Sequence, residues 1–255
     1  MLSFYDSWGK PMRMPNVYRG LATASVVFAA REPVEALLSS RGETGKSVSM
    51  TFEQDKTVAV PDTLPAILPL VVGIGGTIGG VSSTERALRI ALDAVEKQGY
   101  RTQMFGGADM ARLPLYDPKA TTRTADERAF VEAVRGASAV IIASPGYHGS
   151  ISGVVKNALD LLEETARDER PYLADMPVGL IATAYGWQAT GSTIAALRSI
   201  VHALRGWPTP FAAAINTQVT KFDDEGGAND PAVIEQLCLV GRQVARFAPL
   251  SEPAN

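Results

Sequence analysis

The sequence predicts an α/β domain built on an open parallel sheet of five strands with helices on both faces, and three observations carry that expectation. From residue 67 onward, short apolar runs alternate with segments of helical spacing, the pattern of successive βαβ units. Two of these runs, AVIIA at residues 139–143 and VGLIA at 178–182, are continuously apolar, as strands covered on both faces are. A third, LVV at 70–72, leads through GIGGTIGGVSST at 73–84 into a helical segment. Strand, glycine loop and helix together form a phosphate cradle, because a helix N-terminus offers free N–H groups and the positive end of its dipole.

Each element has its own signal. Ser82-Ser83-Thr84-Glu85 reads as a capping box, in which a hydroxyl accepts from the third helical N–H and Glu85 reaches back to the cap. Leu88, Ala91, Leu92 and Val95 mark one apolar helix face, and Gly99 ends it. A short strand follows at 100–105. Thr124-Ala125-Asp126-Glu127 is a second capping box, opening a helix that runs to Gly136. After the strand at 139–143 come a loop, SPGYHGSIS at 144–152, and a helix at 153–165. The strand at 178–182 leads to a loop and a helix at 191–205, and 209–215 supplies the fifth strand despite its proline. Asp230-Pro231 is an N-cap and first-turn pair for a last helix ending near Phe247.

Strand order is either 2-1-3-4-5 or a Rossmann order. In the first, strands one and three flank the switch point where ligands bind beyond the strand C-termini. The loops emerging there, 75–83 and 144–152, are the two most unusual in the chain.

Composition narrows the partners. A net charge of −3 argues against nucleic acid, whose backbone rewards a basic face. No apolar run approaches the roughly 20 residues of a bilayer span, so no membrane partner is expected. One cysteine, Cys238, excludes an internal disulfide, and with His148 and His202 it makes no zinc site of the usual kind. Residues 1–66 differ in texture, with scattered proline and glycine and little periodicity, and read as an N-terminal extension to a domain at 67–250. Within the extension, LATASVVFAA at 21–30 superficially resembles a secretory apolar segment, but the run is short, so a cytoplasmic protein is expected. KSVSMTF and KTVAV form a weak candidate hairpin.

The phosphate is narrowed by what the glycine loop lacks. The dinucleotide fingerprint G-x-G-x-x-G matches at Gly73 and Gly75 but meets Ile78 at its third position, and no acidic residue ends the second strand to hold a ribose. The triphosphate loop matches at Gly75, Gly80 and Ser82, yet Val81 stands where a lysine must reach the phosphates. A terminal monophosphate needs less: backbone N–H groups, at Gly76 among others, and the hydroxyls of Thr77, Ser82, Ser83 and Thr84.

The segment SPGYHGSISGVVKNALDLLEE at 144–164 resembles the NADPH-dependent FMN reductase family, whose typical segment is Ser-Pro-Glu-Tyr-Asn-Gly-Ser-x-Pro-Gly-x-Leu-Lys-Asn-Ala-Leu-Asp. Pro145, Tyr147, Gly149, Ser150, Gly153, Lys156, Asn157, Ala158 and Asp160 match as they stand. The first loop resembles that family's Gly-Ser-x-Arg-x-x-Ser phosphate loop, and the likeness extends over about residues 67–247. Two departures stand out. Ile78 and Gly79 occupy the places open to the phosphate-loop arginine, and Gly146 and His148 replace the usual glutamate and asparagine.

The resemblance implies a flavodoxin-like sheet of order 2-1-3-4-5. It also implies FMN, its phosphate in the first loop and its isoalloxazine edge against Pro145, Gly146, Tyr147, His148, Gly149 and Ser150. A third loop, TAYGWQATG at 183–191, is expected near the flavin, with Thr183, Gly186 and Gln188 as contacts. The implied reaction is hydride transfer from NADPH or NADH to FMN, with the cofactor carrying the chemistry and no protein nucleophile required. Delivery of reduced FMN to a monooxygenase is the expected role; a quinone or azo reductase, or a non-enzymatic electron carrier, are the alternatives. Missing arginine implies a dissociable FMN. His148 reads as a solvent-facing loop residue rather than a proton donor, and Tyr147 either shapes the flavin pocket or packs the loop. Trp187 and Tyr185 suit core packing, a subunit contact or nicotinamide stacking. The family resemblance further implies a homodimer or homotetramer, with the helices at 153–165 and 191–205 as candidate contacts.

Overall fold

The computed structural model describes residues 68–79, 82–223 and 225–248. The expectations for residues 1–66, hairpin included, lie outside the described residues. Six strands are present: β1 (Leu70–Gly75), β2 (Arg101–Phe105), β3 (Ala139–Tyr147), β4 (Ser150–Ile151), β5 (Pro177–Ala184) and β6 (Trp207–Asn216). Five of them form a parallel sheet in the order β2-β1-β3-β5-β6, and the short β4 pairs antiparallel with the end of β3. Leaving β4 aside, this is the flavodoxin-like order, not a Rossmann one. The helices are α1 (Ser83–Glu96), α2 (Gly107–Met110), α3 (Ala125–Arg135), α4 (Gly153–Asp160), α5 (Trp187–Ala203) and α6 (Pro231–Phe247), with a 3-10 turn at Leu161–Thr165 after α4. No helix among the described residues is long and apolar enough to cross a membrane.

Alternation along each buried strand divides the core. Val72, Ile74, Val140, Ile142, Val178 and Leu180 point to the face covered by α3, α4 and α5, where Phe130, Val155, Leu159 and Leu197 meet them. Val71, Ile141, Ile181, Ala213 and Ile215 point to the face covered by α1 and α6. The helical spacing of Leu88, Ala91, Leu92 and Val95 puts all four in that second layer, fully buried or within 1 % of it. Each large aliphatic side chain so buried contributes about 1.5–3 kcal/mol.

Several local expectations hold and others shift for physical reasons. Thr124 and Glu127 form a reciprocal capping box: the Thr124 N–H donates to Glu127 Oε2 at 2.7 Å and the Glu127 N–H to Thr124 Oγ1 at 3.2 Å. Asp230 Oδ1 caps α6 by accepting from the Ala232 N–H, with Pro231 in the first turn. The box at Ser82 is only half formed. Ser82 Oγ accepts from the Glu85 N–H at 3.3 Å, but the Glu85 carboxylate crosses to the Gly107 N–H, also at 3.3 Å. The final strand keeps its prolines because β6 is at the sheet edge, where a missing donor costs little. There Arg198 donates to the carbonyls of Thr209 and Pro210.

Helices α1 and α6 lie in backbone contact. A Cβ on Gly241 would sit 2.3 Å from the Ala91 carbonyl oxygen, a clash that only movement of a helix can relieve. Gly241→Ala is therefore expected to destabilise the fold by about 1–3 kcal/mol, the usual cost of overpacking. Urea unfolding measures it; an unchanged midpoint would mean the two helices part freely.

Candidate functional site

The site begins where β1 must run flush against β3. A Cβ on Gly75 would lie 2.2 Å from the Ala143 carbonyl oxygen, so only glycine lets the two strands end side by side. The chain then turns at Gly76, whose φ of 136° is left to glycine, and rests against Gly107, the first residue of α2. A Cβ on Gly107 would fall 1.8 Å from the Thr77 carbonyl oxygen, so that helix start also needs glycine. Thr77 is half-buried, and Ile78, one of the two places open to the phosphate-loop arginine, is 61 % exposed. Ser82 caps α1 and Ser83 is its first helical residue, leaving first-turn N–H groups without intrahelical partners. The Arg86 guanidinium, on the first turn of α1, donates to the carbonyls of Phe222 and Asp223.

Residues 144–152, expected as a loop, are instead a strand end and a tight hairpin. Gly146 pairs with Ile151 and Tyr147 with Ser150, leaving His148 and Gly149 as the two-residue turn. Their φ angles, 49° and 88°, are both left-handed, as the favoured two-residue hairpin turns require. Gly149 supplies this without strain, and histidine is among the residues that tolerate it. Ser144, fully buried, braces the hairpin: its Oγ accepts from the Ser152 N–H at 3.0 Å and donates to the Pro145 carbonyl at 2.9 Å. Pro145 is buried within β3 beside Thr183, whereas Tyr147, His148, Gly149 and Ser150 are exposed. Gly146 is small because α5 needs it to be: a Cβ there would lie 2.4 Å from Thr193 Oγ1.

The third segment departs most from expectation. Helix α5 starts at Trp187 rather than 191, so residues 183–191 are a strand end, a two-residue turn and a first helical turn. Gly186 takes φ 116°, and its N–H is held by Asn216 Oδ1 at 3.0 Å, which also accepts from the Gln218 N–H. Tyr185 and Trp187 are 75 % and 64 % exposed, which removes core packing as their explanation. They border a crevice of ≈ 480 Å³ with Gly149, Gly186, Gln188, Ala189 and Ser192. Thr183 is buried, and its Oγ1 lies 2.5 Å from Oγ1 of the equally buried Thr84 in α1.

All the expected contact residues thus lie at the C-terminal end of β1, β3 and β5. Three segments, residues 75–79 with 82–84, 144–152 and 183–191, meet there without one Asp, Glu, Lys or Arg among them. What they offer is hydroxyls, peptide N–H groups and aromatic faces, a set suited to a ligand held by hydrogen bonds and stacking. Lys156 and Asn157 of the matching motif act nearby as scaffold. Lys156 pairs with Asp160, while the Asn157 amide accepts from the Tyr116 N–H at 2.8 Å and donates to the Pro114 carbonyl at 2.9 Å. Sequence reasoning did not single out Glu85 as a brace, Ser144 or Asn216. Of these, only Ser144 carried a signal, a serine at the end of an otherwise apolar strand.

Ser144→Ala removes the acceptor of a buried N–H and should cost about 1–3 kcal/mol. Amide exchange should quicken at Ser152 and across the hairpin before it quickens elsewhere; protection lost uniformly would place the cost in global unfolding instead.

Comparisons with known proteins bear on the family and the fold. A family model described as NADPH-dependent FMN reductase matches residues 69–220. An FMN-dependent NADPH-azoreductase of Staphylococcus haemolyticus is 35% identical over 124 residues, covering 46% of this chain and 62% of that one. The enzyme of the same description from Staphylococcus aureus is 33% identical over 129 residues, again with 62% of its length covered. The match thus spans less than two thirds of these relatives. Among solved structures, an NAD(P)H:(acceptor) oxidoreductase of Paracoccus denitrificans superposes with a TM-score of 0.58 at 17% identity, over 71% of this chain and 97% of that one. An NADH:FMN oxidoreductase in its apo form gives 0.54 at 22%, over 72% and 92%. At such identities these two share the fold. With the family model matched from β1 past β6, the chain belongs to the NADPH-dependent FMN reductase family.

Proposed function

We propose that this protein is an FMN-dependent NAD(P)H oxidoreductase that passes hydride equivalents from a nicotinamide to a small acceptor, with free FMN as acceptor and a flavin-dependent monooxygenase as the consumer of reduced flavin. The observation that carries the reading is the uncharged, donor-rich meeting of three segments at the switch point. A dinucleotide site would want an acid for a ribose, and a triphosphate site a lysine; neither is in these segments. The donor set fits FMN. Ser83 and Ser82 stand at the start of α1, where peptide N–H groups and the helix dipole favour a monophosphate. The exposed hairpin at Tyr147–Ser150 and the crevice beside Tyr185 and Trp187 offer room and aromatic surface for planar rings. When bound, FMN supplies the two-electron chemistry; the chain positions it and its partners.

Loose retention is part of the proposal. The described residues of this loop offer a phosphate only neutral N–H and O–H donors, without the opposite charge and bidentate fork that an arginine supplies. The anchored Glu85 carboxylate beside Gly76 adds repulsion toward a phosphate. The protein should purify partly as apoprotein, and added FMN should restore NAD(P)H oxidation; gel filtration in dilute buffer followed by flavin absorbance measures this. A second reading, azo-compound reduction on a retained flavin, is favoured by the names of the staphylococcal relatives. Stoichiometric FMN after gel filtration, with azo-dye or quinone turnover above that of free FMN, would select it.

Ser83→Glu tests the phosphate assignment. A carboxylate at the first helical position agrees with the helix dipole, so the fold should not suffer, yet it opposes a phosphate there. FMN affinity should fall at least about tenfold, or 1.4 kcal/mol. Unchanged affinity in a folded variant would remove the phosphate from this loop.

A further inference from the structure

The sheet has two edges, and of these only β6 carries prolines. The other edge, β2, reads Arg101-Thr102-Gln103-Met104-Phe105 and keeps an unbroken register against β1. The direction of its peptide groups follows from two hydrogen bonds. The Arg101 N–H donates to the Pro69 carbonyl at 2.9 Å, and the Ser138 N–H donates to the Leu70 carbonyl at 2.8 Å. Along this stretch, odd-numbered residues therefore bond toward β2 and even-numbered ones toward β3. On β2 itself the odd residues turn inward, so the N–H and C=O of Thr102 and of Met104 point away from the sheet. Among the described residues these groups have no hydrogen-bond partner. Such an edge is a template for another strand, and five residues is an ordinary strand length.

We propose that β2 is a self-association surface, on which a second copy of this chain pairs antiparallel about a two-fold axis at Gln103. Thr102 then meets the partner's Met104, and Met104 meets the partner's Thr102. Each pair exchanges two N–H···O=C bonds, so every outward group of the strand is satisfied. Centring the axis on Thr102 or Met104 would satisfy only that residue's own groups within the strand. The side chains select a copy of this strand as the occupant. Gln103 is exposed and faces its own counterpart in the close, non-hydrogen-bonded pair, and a carboxamide both donates to and accepts from another carboxamide. Arg101, the only charge in the strand, comes opposite the partner's Phe105, so no like charges meet. The strand is also held ready: the Thr102 hydroxyl donates to the Glu96 carboxylate, and Met104 packs against the layer of α1 and α6. The product is a continuous sheet of ten parallel and antiparallel strands, five from each copy, whose switch-point crevices open at opposite ends.

Gln103 is the place to test the axis, because substituting an exposed side chain leaves the outward peptide groups intact. The full-length wild type, Gln103→Arg, Gln103→Glu and an equal mixture of the two variants are compared by sedimentation velocity over a range of concentrations. Wild type should show an association step that doubles its mass. Each variant alone sets like charges face to face and should raise the dissociation constant of that step about tenfold or more. The mixture places opposite charges across the axis and should regain the step. Amide hydrogen exchange reads the same event directly: Thr102 and Met104 should be protected in associated wild type and lose that protection in either variant alone. Equal mass for wild type and variants at every concentration would place any association elsewhere and overturn the proposal. Loss in both variants without recovery in the mixture would overturn the two-fold pairing. Thr102 and Met104 amides equally protected in the variants would put another part of the same chain on the edge, and overturn it as well.

Discussion

Contact between Gly75 and the Ala143 carbonyl is the constraint from which the site follows. Parallel strands β1 and β3 must end in line for their outgoing chains to face one space, and a side chain at the end of β1 would force them apart. With that contact made, β1 sends its chain over Gly76 to α1 on one face. β3 sends its own through the hairpin to α4 on the other. The crevice between diverging chains is a property of sheet topology, not of any one loop. Its furnishing is then set by short-range needs: a glycine where φ is left-handed, a serine where a buried N–H lacks a partner, an asparagine where a helix starts without a cap.

How much of this could be read from sequence depended on whether each element advertised its own boundary. Helix α3 did, through Thr124 and Glu127, and α6 did, through Asp230 and Pro231; the structure places both as the caps require. The buried strands were readable because continuous apolar runs have few other uses. The sequence pattern puts the start of α5 four residues late because its cap is Gly186, with a φ no side-chain signal announces and its N–H held by Asn216, 30 positions away in sequence. The hairpin at 146–151 looks like a loop in sequence since His148-Gly149 is a less familiar turn pair than Asn-Gly. Glu85 fitted the capping motif in sequence, but in space the Gly107 N–H is a competing donor. Local propensity was right wherever nothing distant competed with it.

Electrostatically, the site differs from its surroundings. Ion pairs are plentiful along α3 and its neighbours, where Arg123, Arg135 and Arg112 each hold two carboxylates. The hydrogen bond to Glu164 heads the causes that raise the Arg123 guanidinium above its ordinary value, and Asp168 does the same for Arg135. These three cations are engaged by carboxylates of the scaffold. Apart from the Glu85 carboxylate beside Gly76, the crevice offers neutral groups on a charged frame, which favours hydrogen bonding and stacking over ion pairing.

The prolines of β6 have a consequence for how copies of this chain can meet. An exposed sheet edge is a template for another strand, and natural proteins blunt it in recognisable ways. Here Pro208 and Pro210 remove two N–H donors, and Arg198 occupies the carbonyls of Thr209 and Pro210. Little of the ladder near the start of β6 remains for a newcomer to extend. Assembly by growing the sheet is blocked there, which protects a half-unfolded chain from pairing edge to edge with its neighbours along β6.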